Sequence, residues 1–297
     1  MENFELTASQ TQSILDYLSV KPSKPSVRYL NQLIDAHVRR VPWESVTRIL
    51  KRRGTPVTAN CPRLPAEFWE DAITTGSGGT CFENNYAFYS LLTSLGFQGY
   101  LTLNDMGETR GCHGAIVILA AGRKYLVDVS LPFDRAIPFH AYATTRRRTP
   151  LQTEIVQPLG GHRYRVTRAH HIRPDIFTLV DVPVSPIEFV ERIKRDYEAG
   201  GFFLDKVVMV KAVAGNIWCF NSADTPYQLQ TKGRNKSQVA PLGTIRLAQT
   251  LGTHFNMASA PIAAALSIVN PQAQPIPRLE NAAVNAYWAF AVRRRWF

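Results

Sequence analysis

The sequence lacks a long run of apolar residues. Among its 297 residues, no stretch approaches the roughly 20 consecutive apolar residues that a membrane-spanning helix needs. The first five residues, Met1-Glu2-Asn3-Phe4-Glu5, also lack the basic start and apolar run of a secretory signal. We therefore expect no membrane partner and cytoplasmic residence. No segment repeats at a fixed interval, which argues against a solenoid or a propeller.

Cysteine is scarce. The chain contains four, Cys61, Cys81, Cys112 and Cys219. Their spacing matches no metal-ligand pattern, and four thiols in a chain of this length do not make a disulfide framework. We therefore expect free thiols and no metal, with one reactive thiol among inert ones.

Acidic residues are few relative to basic ones. The chain has 23 Asp and Glu against 34 Lys and Arg, a formal net charge of +11 and a pI near 9.7. This balance favours anionic partners, which include nucleic acid, a membrane surface and a phosphate-bearing small molecule. The basic residues form short scattered runs at 51–53, 146–148 and 293–295, with no nucleic-acid-binding motif around them. A solvated basic surface is the simpler interpretation, and we expect no nucleic-acid partner.

Hydrophobic spacing divides the chain into segments. Helical three- and four-residue steps predominate up to about residue 96, with a helix after Cys81 that Gly96 ends. Short β-rich runs follow, and they predict a small antiparallel barrel or sandwich over 97–190. Beyond it the pattern predicts helices at 186–199 and 242–255 and strands at 207–212 and 217–220. We therefore divide the chain into 1–96, 97–190, 191–270 and a C-terminal extension, 271–297, of unknown role.

Cys81 has the surroundings of an activated nucleophile. It follows Gly78-Gly79-Thr80 and precedes a helical pattern, which places its sulfur in the first turn. Unpaired N–H groups and the helix dipole stabilise a thiolate there, and the same N–H groups can hold an oxyanion. The alternative is a small buried hydrophobic residue, the common fate of a lone cysteine.

A predicted hairpin brings a histidine and an aspartate together. If its turn is the two-residue loop Ala121-Gly122, Asp128 lies opposite Ala115, and His113 is a diagonal neighbour on the same face. Asp128 then fixes the tautomer of His113, which presents its other nitrogen to Cys81. A turn of different length would place the two on opposite faces. The alternatives are an exposed His113 and a turn-stabilising Asp128.

Three segments together resemble the arylamine N-acetyltransferase family. They are 37–44 (HVRRVPWE), 78–83 (GGTCFE), and the segment from His113 to 129, which ends in YLVDV at 125–129. A weaker resemblance lies at 251–257. The resemblance implies an α+β fold with an N-terminal helical bundle, a central antiparallel β-barrel and a C-terminal α/β lid around a cysteine-protease-like core. It also makes Cys81 the nucleophile, His113 the base and Asp128 the orienting carboxylate.

The resemblance further implies a ping-pong acyltransferase of xenobiotic metabolism. Acetyl-CoA would be the acyl donor and an arylamine, hydrazine or N-hydroxyarylamine the acceptor. Glu44 and Glu83 would be structural supports near the site. The residues implied for substrate binding are Trp43, Cys112, Leu131 and Phe133.

The sequence departs from the family at two places near the site. Ser77 stands where the family usually has an arginine, so a partner for Glu44 is missing. Ser130-Leu131-Pro132-Phe133 replaces the usual Gly-Phe-Gly stretch two residues after Asp128, which puts acceptor choice in doubt. An amide synthase of natural-product biosynthesis with the same triad, a Cys-His-Asp hydrolase and an inactive basic binding protein are the alternatives.

Overall fold

A computed structural model of the chain describes residues 5–131, 133–149, 152–169, 174–224, 226–233, 237–243 and 246–269. The predicted extension 271–297 and Pro132 lie outside the described residues. Within these ranges the chain forms an α+β fold built on eight helices and two antiparallel sheets, one of which is a nearly closed barrel. The predicted fold class is confirmed.

Five helices precede the barrel. They are α1 (Ala8–Leu18), α2 (Val27–Arg40), α3 (Val46–Gly54), α4 (Pro65–Thr75) and α5 (Cys81–Ser94), with a 3-10 turn at Thr58–Asn60. Local sequence explains several ends. Thr7 begins α1 with a reciprocal capping box, and Pro65 occupies the first turn of α4. Gly96, with φ +84°, follows α5 in the left-handed conformation, as predicted.

The barrel is an eight-stranded sheet in the order β5-β4-β3-β2-β9-β8-β7-β6. Its strands are β2 (Gln98–Met106), β3 (Thr109–Ala120), β4 (Arg123–Val127), β5 (Ile137–Phe139), β6 (Thr145–Arg148), β7 (Thr153–Gly160), β8 (Arg163–Arg168) and β9 (Asp175–Val180). Their inward side chains form a second hydrophobic core, separate from the core that the N-terminal helices share with the outer face of β2 and β3. The barrel thus presents β3 to α5.

A second sheet contains five strands in the described residues, in the order β1-β10-β11-β12-β13. They are β1 (Trp43–Glu44), β10 (Val208–Val213), β11 (Asn216–Asn221), β12 (Gln228–Lys232) and β13 (Ser237–Pro241). Helices α6 (Pro186–Asp196), α7 (Leu247–Phe255) and α8 (Ser259–Val269) accompany it. The two residues of β1, from the N-terminal half, pair with β10.

Two helix predictions were too long. The helix predicted over 186–199 ends at Asp196, because the chain turns through Gly200, with φ +80°, and Gly201. The helix predicted over 242–255 begins only at Leu247, since the Leu242 N–H still bonds to the Tyr227 carbonyl next to β12 and the N-cap Arg246 has a left-handed φ of +60°. No helix among the described residues is long and apolar enough to cross a membrane.

Candidate active site

Cys81 is the first residue of α5. The two glycines before it allow the chain to pass close to its neighbours, since a Cβ on Gly78 would lie 1.7 Å from the Pro42 carbonyl oxygen. Gly79 is bridged to Trp43, and its carbonyl accepts the Glu44 N–H at 3.1 Å. Cys81 is half-buried and, like the other three cysteines, is a free thiol.

The predicted hairpin brings His113 to Asp128. Its turn is the two-residue loop Ala121-Gly122, with φ of +49° and +67°, and β3 and β4 pair in the predicted register. The Nε2 atom of His113 lies 2.6 Å from Oδ2 of Asp128, and both side chains are fully buried. The predicted contact is confirmed.

Asp128 is held by hydrogen bonds from several directions. Its Oδ1 accepts the Asn85 amide at 2.9 Å, the Ser130 hydroxyl at 2.6 Å and the Ser130 backbone N–H at 3.0 Å. Asn85 also donates to the Gly114 carbonyl and accepts the Val129 N–H. Asn85 therefore ties the nucleophile helix α5 to the carboxylate and to the strand that carries His113.

The charges of this pair support each other. Burial lowers the pKa of His113, but the Asp128 carboxylate, its hydrogen bond and the interaction with Cys81 raise that pKa to about 10. Burial raises the pKa of Asp128, yet the attraction of His113 and the surrounding donors leave it below its usual value. The pair therefore favours an imidazolium held against a carboxylate.

Cys81 and His113 line one cleft. Since Nε2 of His113 is taken by Asp128, Nδ1 is the ring nitrogen left for Cys81, and it has no other hydrogen-bond partner of normal geometry among the described residues. The remaining lining residues are Trp43, Arg48, Thr80, Cys112, Ser130, Leu131, Asp196, Phe202 and Phe203. The cleft therefore has aromatic walls around a thiol, an imidazole and a buried ion pair.

The structure places three of the four predicted substrate-binding residues in this cleft. Trp43, Cys112 and Leu131 line it, and Trp43 packs edge-on against Phe203 with ring centroids 4.8 Å apart. Phe133 instead packs in the barrel core, where it is 1% exposed, and does not line the cleft. Its predicted contact with substrate has no support in this geometry.

Glu44 and Glu83 are both buried beside the nucleophile. Glu44 accepts the Thr47 N–H at 2.9 Å and the Gly78 N–H at 3.2 Å, and burial raises its pKa although Arg63 acts against this. Burial also raises the pKa of Glu83, but its ion pair with Arg63 at 2.9 Å outweighs burial and lowers that pKa. Both carboxylates therefore border the Gly78-Gly79 loop.

Arg63 supplies the cation that is missing from the sequence at Ser77. Its guanidinium is fully buried and contacts Glu83, the Thr47 hydroxyl at 3.0 Å and the Gly78 carbonyl at 2.5 Å. The Thr47 hydroxyl in turn donates to Glu44 at 2.7 Å. The cation thus reaches the two carboxylates from another part of the chain, and no sequence signal pointed to Arg63.

A second buried arginine, Arg48, was also missed. It donates to the Thr80 hydroxyl at 3.1 Å and to the Asp196 carbonyl, and it lies over the Tyr197 ring with its central carbon 4.6 Å from the centroid. Arg192 binds the Asp196 carboxylate at 2.5 Å and the carbonyl of Gly111, two residues before His113. These contacts join the end of α6 to both halves of the site.

Among the described residues, no group of three or more His, Cys, Asp or Glu side chains is arranged to hold a metal ion. The chemistry that the described side chains offer is that of a thiol, an imidazole and a carboxylate in sequence. Such a constellation suits nucleophilic attack on an acyl carbon with formation of a covalent thioester.

Solved structures with the same fold are arylamine N-acetyltransferases. The enzyme from Salmonella typhimurium superposes with a TM-score of 0.72 at 16% identity, over 88% of this chain and 99% of that one. The enzyme from Mycobacterium abscessus gives 0.72 at 17%, over 87% and 95%. That from Mycobacterium marinum in complex with CoA gives 0.71 at 15%, over 86% and 94%. No curated protein matches the chain in sequence.

A sequence profile of the N-acetyltransferase family matches residues 26–178, slightly more than half of the chain. The matched range contains Cys81, His113 and Asp128. The fold and the family together define an acyltransferase. The chain belongs to the arylamine N-acetyltransferase family.

Proposed function

We propose that this enzyme transfers an acetyl group from acetyl-CoA, through a thioester on Cys81, to an arylamine, hydrazine or N-hydroxyarylamine. The observation that carries the proposal is the His113–Asp128 pair, at 2.6 Å, in the same cleft as the Cys81 thiol. Cytoplasmic residence and a role in xenobiotic metabolism are parts of the same proposal.

In the first half-reaction the Cys81 sulfur attacks the thioester carbonyl. His113 holds the proton from the thiol, because Asp128 and Cys81 together outweigh burial and raise its pKa to about 10. The carbonyl oxygen becomes an oxyanion next to the first turn of α5, where the helix leaves N–H groups without partners inside the helix. Collapse forms the Cys81 thioester and expels the CoA thiolate, which takes the proton from His113.

In the second half-reaction the acceptor nitrogen attacks the Cys81 thioester. The sulfur is then uncharged, so its contribution to the raised pKa of His113 is lost and that pKa falls. Neutral His113 can accept the proton that the attacking nitrogen loses. Breakage of the carbon–sulfur bond releases the acetylated product and restores the Cys81–His113 pair.

The lining of the cleft supports the proposal of a planar aromatic acceptor. Trp43, Phe202, Phe203 and Leu131 surround the thiol with apolar surface. Aromatic walls bind aromatic rings by stacking and edge contacts. The donor is supported by the CoA complex of the Mycobacterium marinum enzyme and by the net charge of +11, which suits a phosphate-bearing ligand.

The deciding experiment is intact-protein mass spectrometry after brief exposure to acetyl-CoA without an acceptor. The proposal expects one acetyl adduct per chain, absent in Cys81→Ala and removed by an aromatic amine with release of the acetylated amine. Cys61→Ala is the matched control, because Cys61 is a buried thiol outside the cleft. That variant should acquire the adduct like the wild type.

Other outcomes point to the other chemistries of the same triad. No adduct with acetyl-CoA, but one with a longer or carrier-bound acyl thioester, would replace the proposal with an amide synthase. An adduct that water removes as fast as an amine does would indicate a hydrolase. An adduct that persists in Cys81→Ala would reject Cys81 as the nucleophile.

A further inference from the structure

Thr80 is the N-cap residue of α5, yet it does not cap the helix. Its backbone is extended, with φ −79° and ψ −176°, the geometry from which a threonine hydroxyl normally accepts an N–H of the first turn. Thr7 of α1 and Ser185 of α6 make such bonds with full capping boxes. Thr80 makes none. Its hydroxyl is therefore engaged elsewhere.

Arg48 engages it. The Nη1 atom of Arg48 donates to the Thr80 hydroxyl oxygen at 3.1 Å, and neither residue is more than 2% exposed. The guanidinium is fixed on its other sides by the Asp196 carbonyl, the Asp196 carboxylate at 3.6 Å and the face of Tyr197. A guanidinium held this rigidly sets the direction of the hydroxyl oxygen.

The engaged hydroxyl matters because Thr80 directly precedes the nucleophile. The first-turn N–H groups of an α-helix have no partners within the helix, and Cys81 is the first residue of that turn in α5. A capping hydroxyl would occupy one of these donors. We propose that Arg48 and Thr80 are a positioning pair, in which Arg48 draws the Thr80 hydroxyl away from α5 and so reserves its N–H groups for the sulfur and the oxyanion.

The surroundings support a site that a ligand completes. Arg48, Thr80, Cys81 and His113 line the same cleft. Nδ1 of His113, 1% exposed, faces Cys81, and the buried Nε of Arg48 has no hydrogen-bond partner among the described residues. The role at the oxyanion rests on the proposed acyl transfer, whereas the role at the sulfur does not.

A coupled pair of substitutions tests the inference. In Arg48→Met the released hydroxyl caps α5, and acetylation of Cys81 by acetyl-CoA should slow by at least about tenfold, since loss of one oxyanion donor costs about 10²–10³. Adding Thr80→Val removes the competing hydroxyl at nearly constant volume, so the double variant should acetylate faster than Arg48→Met alone. Thr80→Val should not raise the rate in the wild-type background.

Alkylation of Cys81 by iodoacetamide, followed by mass spectrometry, separates this inference from the proposed function. It needs no acyl donor, and it should slow in Arg48→Met and recover when Thr80→Val is added. Arg53→Met, at the exposed end of the same helix α3, is the matched control and should leave both rates unchanged. If acetyl-CoA gives no adduct in any variant, the proposed function fails and the alkylation series still decides the inference.

Two results would overturn the proposed role of Arg48 and Thr80 as a positioning pair. Equal slowing in Arg48→Met and in the double variant would mean that Arg48 acts by charge or by packing and not through Thr80. Unchanged alkylation in Arg48→Met would mean that no donor is being reserved. If Arg48→Met does not fold, Arg48→Lys keeps a cation beside Asp196 but lacks the planar fork, and the same recovery by Thr80→Val is required of it.

Discussion

The Arg63 guanidinium and the Glu83 carboxylate meet at 2.9 Å with neither side chain exposed to solvent. Arg63 lies in the loop before α4, and Glu83 lies in the first turn of α5, two residues after Cys81. The same guanidinium binds the Gly78 carbonyl. The ion pair therefore fixes the position of the Gly78-Gly79 loop, which leads to the nucleophile.

Removing this cation should destabilise the fold. Arg63→Met leaves the Glu83 carboxylate buried without its partner, and breaking a buried pair in this way costs about 3–5 kcal/mol. Urea unfolding gives the free energy directly. Arg39→Met is the control, because its pair with Asp35 is exposed and pairs of that kind contribute about 0–1 kcal/mol. Equal losses in the two variants would contradict a structural role for Arg63.

Asp128→Asn should abolish most acyl transfer while the fold persists. An amide cannot hold His113 as an imidazolium, and the loss of the orienting carboxylate lowers turnover by up to about 10⁴ in comparable triads. The rate of acetylation from acetyl-CoA measures the effect, with circular dichroism as the check on folding. Asp175→Asn, at an exposed position of β9, should change neither. A loss of less than about tenfold would reduce Asp128 to a turn-stabilising residue, because one tenfold step is only about 1.4 kcal/mol.

Gly78→Ala should disrupt the nucleophile loop. The added Cβ would lie 1.7 Å from the Pro42 carbonyl oxygen, so the backbone must move, and overpacking of this kind costs about 1–3 kcal/mol or more. Thermal unfolding and acetylation of Cys81 should both decline. Gly54→Ala tests the specificity, since a Cβ there meets nothing within 4 Å at the end of α3. Wild-type behaviour of Gly78→Ala would refute the close approach of the two segments.

The His113–Asp128 pair should make stability depend on pH. The pKa of His113 rises from 6.5 in the unfolded chain to about 10 in the folded one, so the folded state binds the extra proton between these values. The stabilisation is complete below pH 6.5 and is lost as pH rises through 10. The difference in unfolding free energy between wild type and His113→Gln should therefore shrink from pH 6.5 to 10.

Comparison with a variant isolates this effect from other titrations. Lys211 is buried, and burial lowers its pKa to about 8, which acts in the opposite direction at alkaline pH. Lys211 is present in both proteins, so its contribution cancels in the difference. A difference that grows from pH 6.5 to 10 would contradict the raised pKa of His113.

Local rules in the sequence accounted for the catalytic half of the site. The loop Ala121-Gly122 favours a two-residue turn, and that turn alone determines whether His113 and Asp128 share a face. The glycines before Cys81 and the helical pattern after it placed the sulfur in a first turn. Asn85 was missed as a partner of Asp128. It lies four residues after Cys81, and residues at this spacing share one side of a helix.

The supporting half could not be predicted in this way. Arg48 and Arg63 look like ordinary surface arginines in sequence, because burial of a cation depends on partners that are distant along the chain. Arg63 meets Glu83 across 20 residues, and Arg48 meets Asp196 across 148. The helix predicted from 242 starts late for a similar reason, since the Leu242 N–H bonds to the carbonyl of Tyr227, which is distant along the chain.

The two-residue strand β1 gives the enzyme a distinctive weak point. On one side Trp43 and Glu44 pair with β10, and on the other Trp43 is bridged to Gly79, two residues before the nucleophile. So short a strand adds few backbone hydrogen bonds to either neighbour. It nevertheless joins the five-stranded sheet to the loop that precedes Cys81. On warming, the pairing of β1 should be lost before the barrel unfolds. The enzyme would then lose its activity while most of its structure was still intact.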